Sequence, residues 1–154
     1  MTVHLITAPR TREASTRLRR FVRDRADVVG LVVTWPERGP VWLDLASGGT
    51  QPLAVVPSNV DYRGLTWHAD ATRLAWARLK LSQAMVMEHI DWLVIDGVGA
   101  RELYGGGLEP TLRELFNVPR ERPHIVLSTT DRLLPWLTAR YNLRALTTRL
   151  MSAI

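Results

Sequence analysis

The sequence predicts an α/β fold in which helices cover both faces of a mainly parallel sheet, giving three layers. Apolar segments of strand length alternate with longer segments of helical periodicity. Several of the apolar segments are continuous rather than alternating, which is typical of strands buried on both faces. The turn-rich stretch Pro36–Gly39 separates two of these segments and predicts an inserted β-hairpin.

The first half of the chain opens with a strand and a helix. Val3–Thr7 is apolar and is followed by Ala8 and Pro9, so it predicts a buried strand. Glu13–Ala26 predicts a helix, because its apolar residues share one face and arginines occupy the other. The other elements expected in this half are the strands Val28–Thr34, Val41–Leu45 and Leu53–Val56, and the loop Asn59–Thr66.

The second half contains the longest expected helix, Ala69–His89, where Leu74, Leu81 and Met85 recur at helical spacing. Pro110 fits the first turn of a helix over Leu108–Phe116, where proline is tolerated. Asp131 is expected to cap a helix that continues through Arg140. The strands expected here are Trp92–Ile95, His124–Ser128 and Leu143–Leu146, and Gly97–Gly107 is expected to be a glycine-rich loop.

The composition of the chain fits one domain over residues 1–154. With 154 residues and 46% hydrophobic content, the chain can bury a substantial core. It has no cysteine, which excludes disulfides, cysteine-zinc sites and thiol catalysis. The apolar segments are too short to cross a bilayer, and the first residues lack the features of a signal peptide. We therefore expect a cytoplasmic protein that does not contact membranes.

The chain is basic, with a formal net charge of +5, and Lys80 is its only lysine. Two interpretations stay open. Arginines bind phosphates bidentately, so the charge is compatible with nucleic acid or another polyanion. An arginine bias of a GC-rich genome would give the same composition. The densest cluster of arginines comprises Arg17, Arg19, Arg20, Arg23 and Arg25. Asp24 lies within this cluster, and Asp27 follows it.

Sites in doubly wound α/β folds lie at the carboxyl ends of strands, and the first such end is followed by Ala8–Ser15. The segment has the spacing of a Walker A phosphate loop, G-x-x-x-x-G-K-[ST]. Ala8 and Glu13 stand at the two glycine positions, Ala14 at the lysine and Ser15 at the magnesium ligand. By itself this match is weak.

A second strand end, Leu93–Asp96, has the form of a Walker B motif. The stretches Asp96–Leu103 and Gly105–Leu112 then follow the pattern of a "DEIG-x-x-EL" box and its helix. Further agreement comes from Val29–Thr34, Gly39–Leu45, Ser47-Gly48 and Pro52–Ala54. In this order, over roughly residues 1–140, the chain resembles the small cancer-related, or thermophilic-type, nucleoside triphosphatases. The resemblance implies a three-layer P-loop NTPase fold.

The departures from the family pattern fall on the residues that would bind phosphate. Glu13 places a carboxylate beside the phosphate position, where like charges about 4 Å apart cost on the order of 4 kcal/mol. Ala14 supplies no charge, and Gly97 replaces the glutamate that acts as the base in the family. Ser15 and Asp96 would bind a metal only if a magnesium nucleotide binds. Glu102 also matches the family pattern, and a structural role would be enough to explain its presence. The side chains of Arg10 and Arg12 leave a different part of the loop from the missing lysine.

These losses predict a catalytically degenerate protein without a cofactor that acts by binding another protein, as a subunit or regulator of an assembly. The protein partner could also be a second copy of the same chain. An atypical nucleotide hydrolase and an arginine-mediated nucleic-acid binder are the alternatives. A contact surface is expected around Trp35, Trp42, Arg17 and Arg20, although core positions are the alternative for the tryptophans. The four histidines lack metal-site spacing.

Overall fold

The computed structural model describes residues 2–57, 65–68, 71–117, 121, 123–143 and 147–151. The strands are β1 (Thr2–Ala8), β2 (Val28–Thr34), β3 (Val41–Asp44), β4 (Thr50–Pro52), β5 (Ala54–Pro57), β6 (Leu65–His68), β7 (Trp92–Ile95), β8 (His124–Thr130) and β9 (Thr147–Met151). The helices are α1 (Thr11–Arg23), α2 (Ala71–Met85), α3 (Ala100–Leu103), α4 (Glu109–Asn117) and α5 (Leu134–Arg140).

Seven strands form one sheet in the order β4-β3-β2-β7-β8-β1-β9. Strand β1 is parallel to β8 and β9, and β7 is parallel to β2 and β8. Strand β3 is antiparallel to both β2 and β4, so the hairpin extends one edge of the parallel sheet. Strands β5 and β6 pair separately as an antiparallel ribbon. The predicted α/β class, with a mainly parallel sheet and an inserted hairpin, is confirmed.

Helix α1 covers one face of the sheet, and α2, α4 and α5 cover the other. The buried side chains under α1 are Ile6, Leu18, Phe21, Val32, Val94 and Val126. The larger core on the opposite face includes Leu31, Leu81, Leu93, Leu112, Ile125 and Leu137. The continuous apolar strands are therefore explained by burial on both sides.

Three strands, β4, β6 and β9, were not expected at their observed positions. Strand β4 lies at an edge and consists of Thr50, Gln51 and Pro52, which lack a strand-like apolar pattern. The expected strand Leu143–Leu146 is wrong at Leu143, which lies in a turn, and residues 144–146 are outside the described residues. The terminal strand β9 begins instead at Thr147. Of the expected loop Asn59–Thr66, residues 59–64 also lie outside the described residues, while Leu65 begins β6.

The expected helices also need correction. Helix α2 ends at Met85 rather than His89, which has a left-handed backbone with φ 61°. Asp131 does not cap α5, because that helix begins after Leu133 and its first turn contains Pro135. The glycine-rich segment contains the short helix α3. None of the helices in the described part of the chain is long and apolar enough to cross a bilayer.

Candidate functional site

The carboxyl ends of β1, β2, β7 and β8 meet at one edge of the sheet. The parallel register aligns Ala8 with Thr130, and it aligns Ile95 with both Leu31 and Leu127. Asp96 follows β7 directly at this edge. The two segments that the sequence singled out, Ala8–Ser15 and the one that begins at Asp96, are therefore brought together in space.

Asp96 lies at the centre of a buried hydrogen-bond network. Its Oδ1 accepts hydrogen bonds from the hydroxyls of Ser15, at 2.8 Å, and of Ser128. Its Oδ2 accepts the Val33 N–H at 2.8 Å. The Ser128 hydroxyl in turn accepts the N–H of Gly97 at 2.8 Å. Asp96, Ser15 and Ser128 are all buried, and the network joins α1 to three neighbouring strands.

Burial raises the pKa of Asp96, because the charged carboxylate is removed from water. The hydrogen bonds from Ser128, Val33 and Ser15 oppose that effect without reversing it. The sequence indicated Asp96 and Ser15, but it gave no indication of Ser128. The strand-end serine becomes part of the site only because β8 lies beside β7 in the sheet.

The turn between β1 and α1 is short, since only Pro9 and Arg10 separate the two elements. Arg10 is extended, with φ −125° and ψ 148°, and its carbonyl accepts the Ala14 N–H at 3.0 Å. The first helical residue is therefore Thr11, two residues before the expected start at Glu13. No residue from Ala8 to Ser15 has a left-handed backbone. Residues 11–13, which occupy loop positions of the Walker A spacing, are helical.

The side chains of this turn divide into buried and exposed sets. Ala8 and Ala14 are buried against the fold. Arg10, Arg12 and Glu13 are exposed, and Glu13 makes no ion pair with any residue that the structure describes. The Arg12 guanidinium lies over the ring of Trp35, 5.2 Å from its centroid. The phosphate-loop candidates thus form no single cluster.

Lys80 does not substitute for the missing lysine of the turn. It belongs to α2, on the face of the sheet opposite α1. Its Nζ lies 4.0 Å from the Asp44 carboxylate and 5.9 Å from the centroid of the Trp76 ring. These contacts keep the ammonium group at the hairpin end of the sheet.

Gly97 follows Asp96 directly, at the position where the resemblance to the nucleoside triphosphatases predicts a glutamate. Its φ of 75° lies in the left-handed region, which L side chains rarely adopt, although nothing would contact an added Cβ within 4 Å. Its N–H is held by Ser128. A glutamate here would therefore be strained by the backbone even though there is space for it.

Glu102 is buried and serves as an internal acceptor for the loop around it. Its Oε2 accepts the Gly99 N–H at 3.0 Å, and its Oε1 accepts the Leu108 N–H at 3.4 Å. A Cβ at Gly107 would lie 2.5 Å from Oε1, so the close packing requires glycine there. Burial raises the pKa of Glu102. These contacts place Glu102 in the scaffold of the loop.

The expected contact surface around the tryptophans needs correction. Trp42 is 1% exposed and belongs to the core, so it cannot form an interface. Trp35 is half-buried beside Arg12. Arg17 donates to the carbonyl of Thr7 at 2.5 Å. Of that predicted group only Arg20 is exposed.

Two exposed aromatic residues were missed by the sequence reasoning. Tyr104, which follows α3, is 91% exposed, and Trp136 on α5 is 66% exposed. Arg140 joins the two elements, since it lies one turn after Trp136 and donates to the carbonyl of Leu103 at 3.0 Å. Helical spacing could have indicated that Trp136 is exposed. Leu133 and Leu137 lie on the inner side of α5, and Trp136 lies outside that side.

The opposite, amino edge of the sheet carries different features. The rings of His4 and His124 both pack against Trp92, with centroids 5.3 and 5.2 Å away. No group of three histidine, cysteine or acidic side chains suited to a metal occurs among the described residues. An open cavity of about 430 Å³ near this edge is lined by Met85, Met87, His89, Ile90, Asp91 and Pro123. Its lining includes none of the phosphate-loop or Walker B candidates.

Comparison with known proteins gives a structural match. No family model matches the chain, and no curated protein matches its sequence. The chain is similar in structure to THEP1 from the hyperthermophile Aquifex aeolicus, with a TM-score of 0.65 and 12% sequence identity. The match covers 99% of this chain and 90% of the THEP1 chain. At this identity it establishes the fold, and the chain therefore has a THEP1-like P-loop NTPase fold.

Proposed function

We propose that this chain is a P-loop-fold protein that does not hydrolyse nucleoside triphosphates and acts by binding a protein partner. The observation that carries the proposal is the start of α1 at Thr11. A Walker A loop cradles phosphates with backbone N–H groups of a glycine-rich turn. Here the same positions are already helical, and the turn lacks the left-handed residues that would direct successive N–H groups at one anion.

The charges of the turn give independent support. Glu13 is exposed at the position of the second glycine, so it sets a carboxylate beside the phosphate position. Ala14 supplies no charge, and Lys80 is held by Asp44 on the other face. Arg10 and Arg12 add positive charge at the turn, but neither stands at the lysine position of the loop. The residues present do not fit a nucleoside triphosphate.

The two remaining magnesium ligands are engaged with each other. Ser15 and Asp96 are buried and share a hydrogen bond, and Ser128 and Val33 occupy further acceptor positions of Asp96. A magnesium ion would have to open this network to reach either oxygen. Gly97 cannot act as a base.

The partner surface that we propose is formed by Tyr104 and Trp136. Both side chains are large, aromatic and exposed, on neighbouring elements that Arg140 joins. Tyr and Trp are enriched among the residues that dominate binding energy at protein interfaces. Pro135 and Ala139, which are also exposed, extend the apolar area on α5.

The first test is nucleotide binding. Thermal unfolding is measured with millimolar ATP or GTP and magnesium, alongside phosphate release, with a P-loop protein of known nucleotide affinity as the positive control. A ligand at 100 times its dissociation constant would stabilise the fold by about 2.7 kcal/mol. We expect no shift in midpoint and no phosphate release. A saturable shift or turnover would instead favour the atypical hydrolase.

The second test concerns the partner. Proteins that co-purify from the native source are compared for the wild type, a Tyr104→Ala/Trp136→Ala variant and a Leu79→Ala/Val86→Ala control. The control also removes two exposed apolar side chains, but from α2 and the residue that follows it. We expect a specific partner to be lost only from the aromatic variant. Equal retention by all three proteins would contradict the proposed surface, and a concentration-dependent mass of the purified wild type would identify a second copy as the partner.

A further inference from the structure

The positive charge of the protein is concentrated on one short segment. Residues Arg10–Arg25 contain seven arginines and two carboxylates, Glu13 and Asp24, which gives this segment a net charge of +5. The rest of the chain has thirteen basic and thirteen acidic residues and is therefore neutral. A genomic preference for arginine explains the residue type, but it does not explain why the excess lies in one segment.

The structure arranges part of this charge as a line. Ala14, Ser15, Leu18 and Phe21 form the buried side of α1. Arg12, Thr16, Arg20 and Arg23 lie on the outer side, on consecutive turns, as helical spacing requires. We call these four residues the arginine stripe. From Arg12 to Arg23 it extends about 16 Å, at about 1.5 Å per residue.

The arginines of the stripe are largely free of acidic partners in the described part of the chain. Arg20 has no ion pair there, and Arg12 is exposed while it lies over the Trp35 ring. Glu13, the exposed carboxylate beside the stripe, makes no ion pair with either arginine. Arg23 lies 3.7 Å from Asp24, with both side chains exposed, so that pair is weak. Arg10, at the start of the helix, is also exposed and adds a further charge at that end. The stripe thus leaves several guanidinium groups available to an external anion.

The same surface lacks the residues that anchor protein interfaces. The exposed large hydrophobic residues of the described chain are on α2, after it, after α3 and on α5, and none is on α1. Protein interfaces usually depend on buried aromatic anchors. Single-stranded nucleic acids likewise need aromatic platforms for stacking. A row of arginines without such residues suits a regular array of phosphates, because guanidinium groups bind phosphate bidentately.

We infer that the arginine stripe of α1 is a binding surface for the phosphate backbone of a nucleic-acid duplex, without readout of base sequence. Phosphates recur about every 3.4 Å of axis along each strand, so the three arginines of the stripe, spread over about 16 Å, can each meet a phosphate where a strand runs beside the helix. The stripe is on the face of the sheet opposite α5 and its Trp136. The proposed duplex surface and the proposed partner surface can therefore be tested independently of each other.

The experiment measures binding of a fluorescent DNA duplex of about two helical turns by anisotropy, between about 50 and 200 mM salt. The wild type is compared with Arg12→Ala/Arg20→Ala and with the control Arg38→Ala/Arg132→Ala. Each double variant removes two exposed arginines, so the net charge falls equally in both. Alanine favours the helix at residues 12 and 20, and circular dichroism checks that both variants are folded.

For the wild type we expect log K to fall linearly with log salt, with a slope of about −0.9 for each phosphate contacted. The stripe variant should bind about tenfold more weakly or worse, and its slope should be shallower by about 1.8 if two contacts are lost. The control variant should keep an affinity within about threefold of the wild type and an unchanged slope, because local phosphate contacts set both.

Several outcomes would overturn the inference. The wild type would fail to bind the duplex, or both double variants would weaken binding equally, which would indicate net charge alone. Tighter binding of a single strand than of the duplex would indicate a different ligand. Displacement of the duplex by polyglutamate at equal charge concentration would indicate an acidic protein. None of these results depends on nucleotide hydrolysis or on Tyr104 and Trp136.

Discussion

The β1–α1 turn and the segment from Asp96 to Leu108 lie at the same edge of the sheet, but they differ in how their side chains are used. In the turn, Arg10 and Glu13 point into solvent. In the second segment, Asp96 and Glu102 are buried and accept several hydrogen bonds each. Ser15 resembles the second group, because it is buried and bonded to Asp96 although it belongs to α1.

The difference separates residues that would contact a ligand from residues that hold the fold together. Glu13, Ala14 and Gly97 depart from the P-loop pattern, as Ala8 does, and the resemblance places them where phosphate would be contacted or water activated. The positions that keep the pattern, Ser15, Asp96 and Glu102, each satisfy buried polar groups of the chain itself. Their presence is therefore explained by stability, without any nucleotide.

The largest expected effect is at the centre of the buried network. Asp96→Ala leaves the Val33 N–H without its acceptor and removes the shared partner of two buried hydroxyls. We expect a loss of about 3–5 kcal/mol of unfolding free energy, measured by urea denaturation. Asp96→Asn, which keeps one acceptor oxygen, should lose less and provides a folded variant if the alanine variant does not fold. A loss of unfolding free energy below about 1 kcal/mol for Asp96→Ala would contradict the structural role that we assign to the buried residues of the second segment.

A smaller loss is expected at Glu102. Glu102→Ala should cost about 2–3 kcal/mol, because the N–H groups of Gly99 and Leu108 lose their acceptor in a buried site. Hydrogen exchange should show faster exchange of these two amides, while amides in β8 remain protected. Glu102→Gln, which retains one acceptor, should protect one of the two amides. Unchanged exchange at both positions in the alanine variant would contradict the scaffold role.

The next prediction uses pH. Burial raises the pKa of Asp96 above its ordinary value of 3.8, so the folded state binds a proton more tightly than the unfolded state does. The stabilising contribution is then fully present below the ordinary pKa and is lost as pH rises through the folded-state pKa. The Asp96→Asn variant has no titratable group at this position, and every other titratable group is the same in the two proteins. Lowering pH from about 8 to below the ordinary pKa of 3.8 should therefore stabilise the wild type relative to Asp96→Asn, as measured by urea denaturation. A relative loss of stability on acidification would show that the pKa is lowered.

The smallest effect is expected in the turn. Glu13→Gln removes an exposed charge from the first turn of α1, where a carboxylate interacts favourably with the helix dipole. We expect a change within about 0.5 kcal/mol, or about 1–2 °C in the unfolding midpoint. Scanning calorimetry measures this shift, with Arg38→Gln as a matched exposed control. A loss of more than about 1 kcal/mol would mean that Glu13 has a structural role after all.

Much of the fold could be predicted because most strands are continuous apolar runs and α1 has a clear apolar face. Strand β4 could not, since Thr50, Gln51 and Pro52 carry no strand pattern and pair only because β3 lies beside them. The start of α1 was missed for a local reason. Its first position is preceded by Arg10, whose side chain does not cap the helix, so no cap residue marks the boundary.

The candidate site was predictable in part. The spacing of Ala8–Ser15 and the strand ending in Asp96 located the correct edge of the sheet, but the bond between Ser15 and Asp96 joins residues 81 positions apart. Ser128 entered the network through strand order, which no local pattern encodes. Exposure likewise depends on packing, which is why Trp42 is in the core and Trp136 is at the surface.

A crystal structure determined with millimolar magnesium and ATP would show whether the turn binds a nucleotide. We expect that the Ala14 N–H still donates to the carbonyl of Arg10, that Ser15 still donates to Asp96, and that no phosphate contacts the turn. A phosphate bound to the N–H groups of residues 9–14, with a magnesium ion between Ser15 and Asp96, would contradict this expectation.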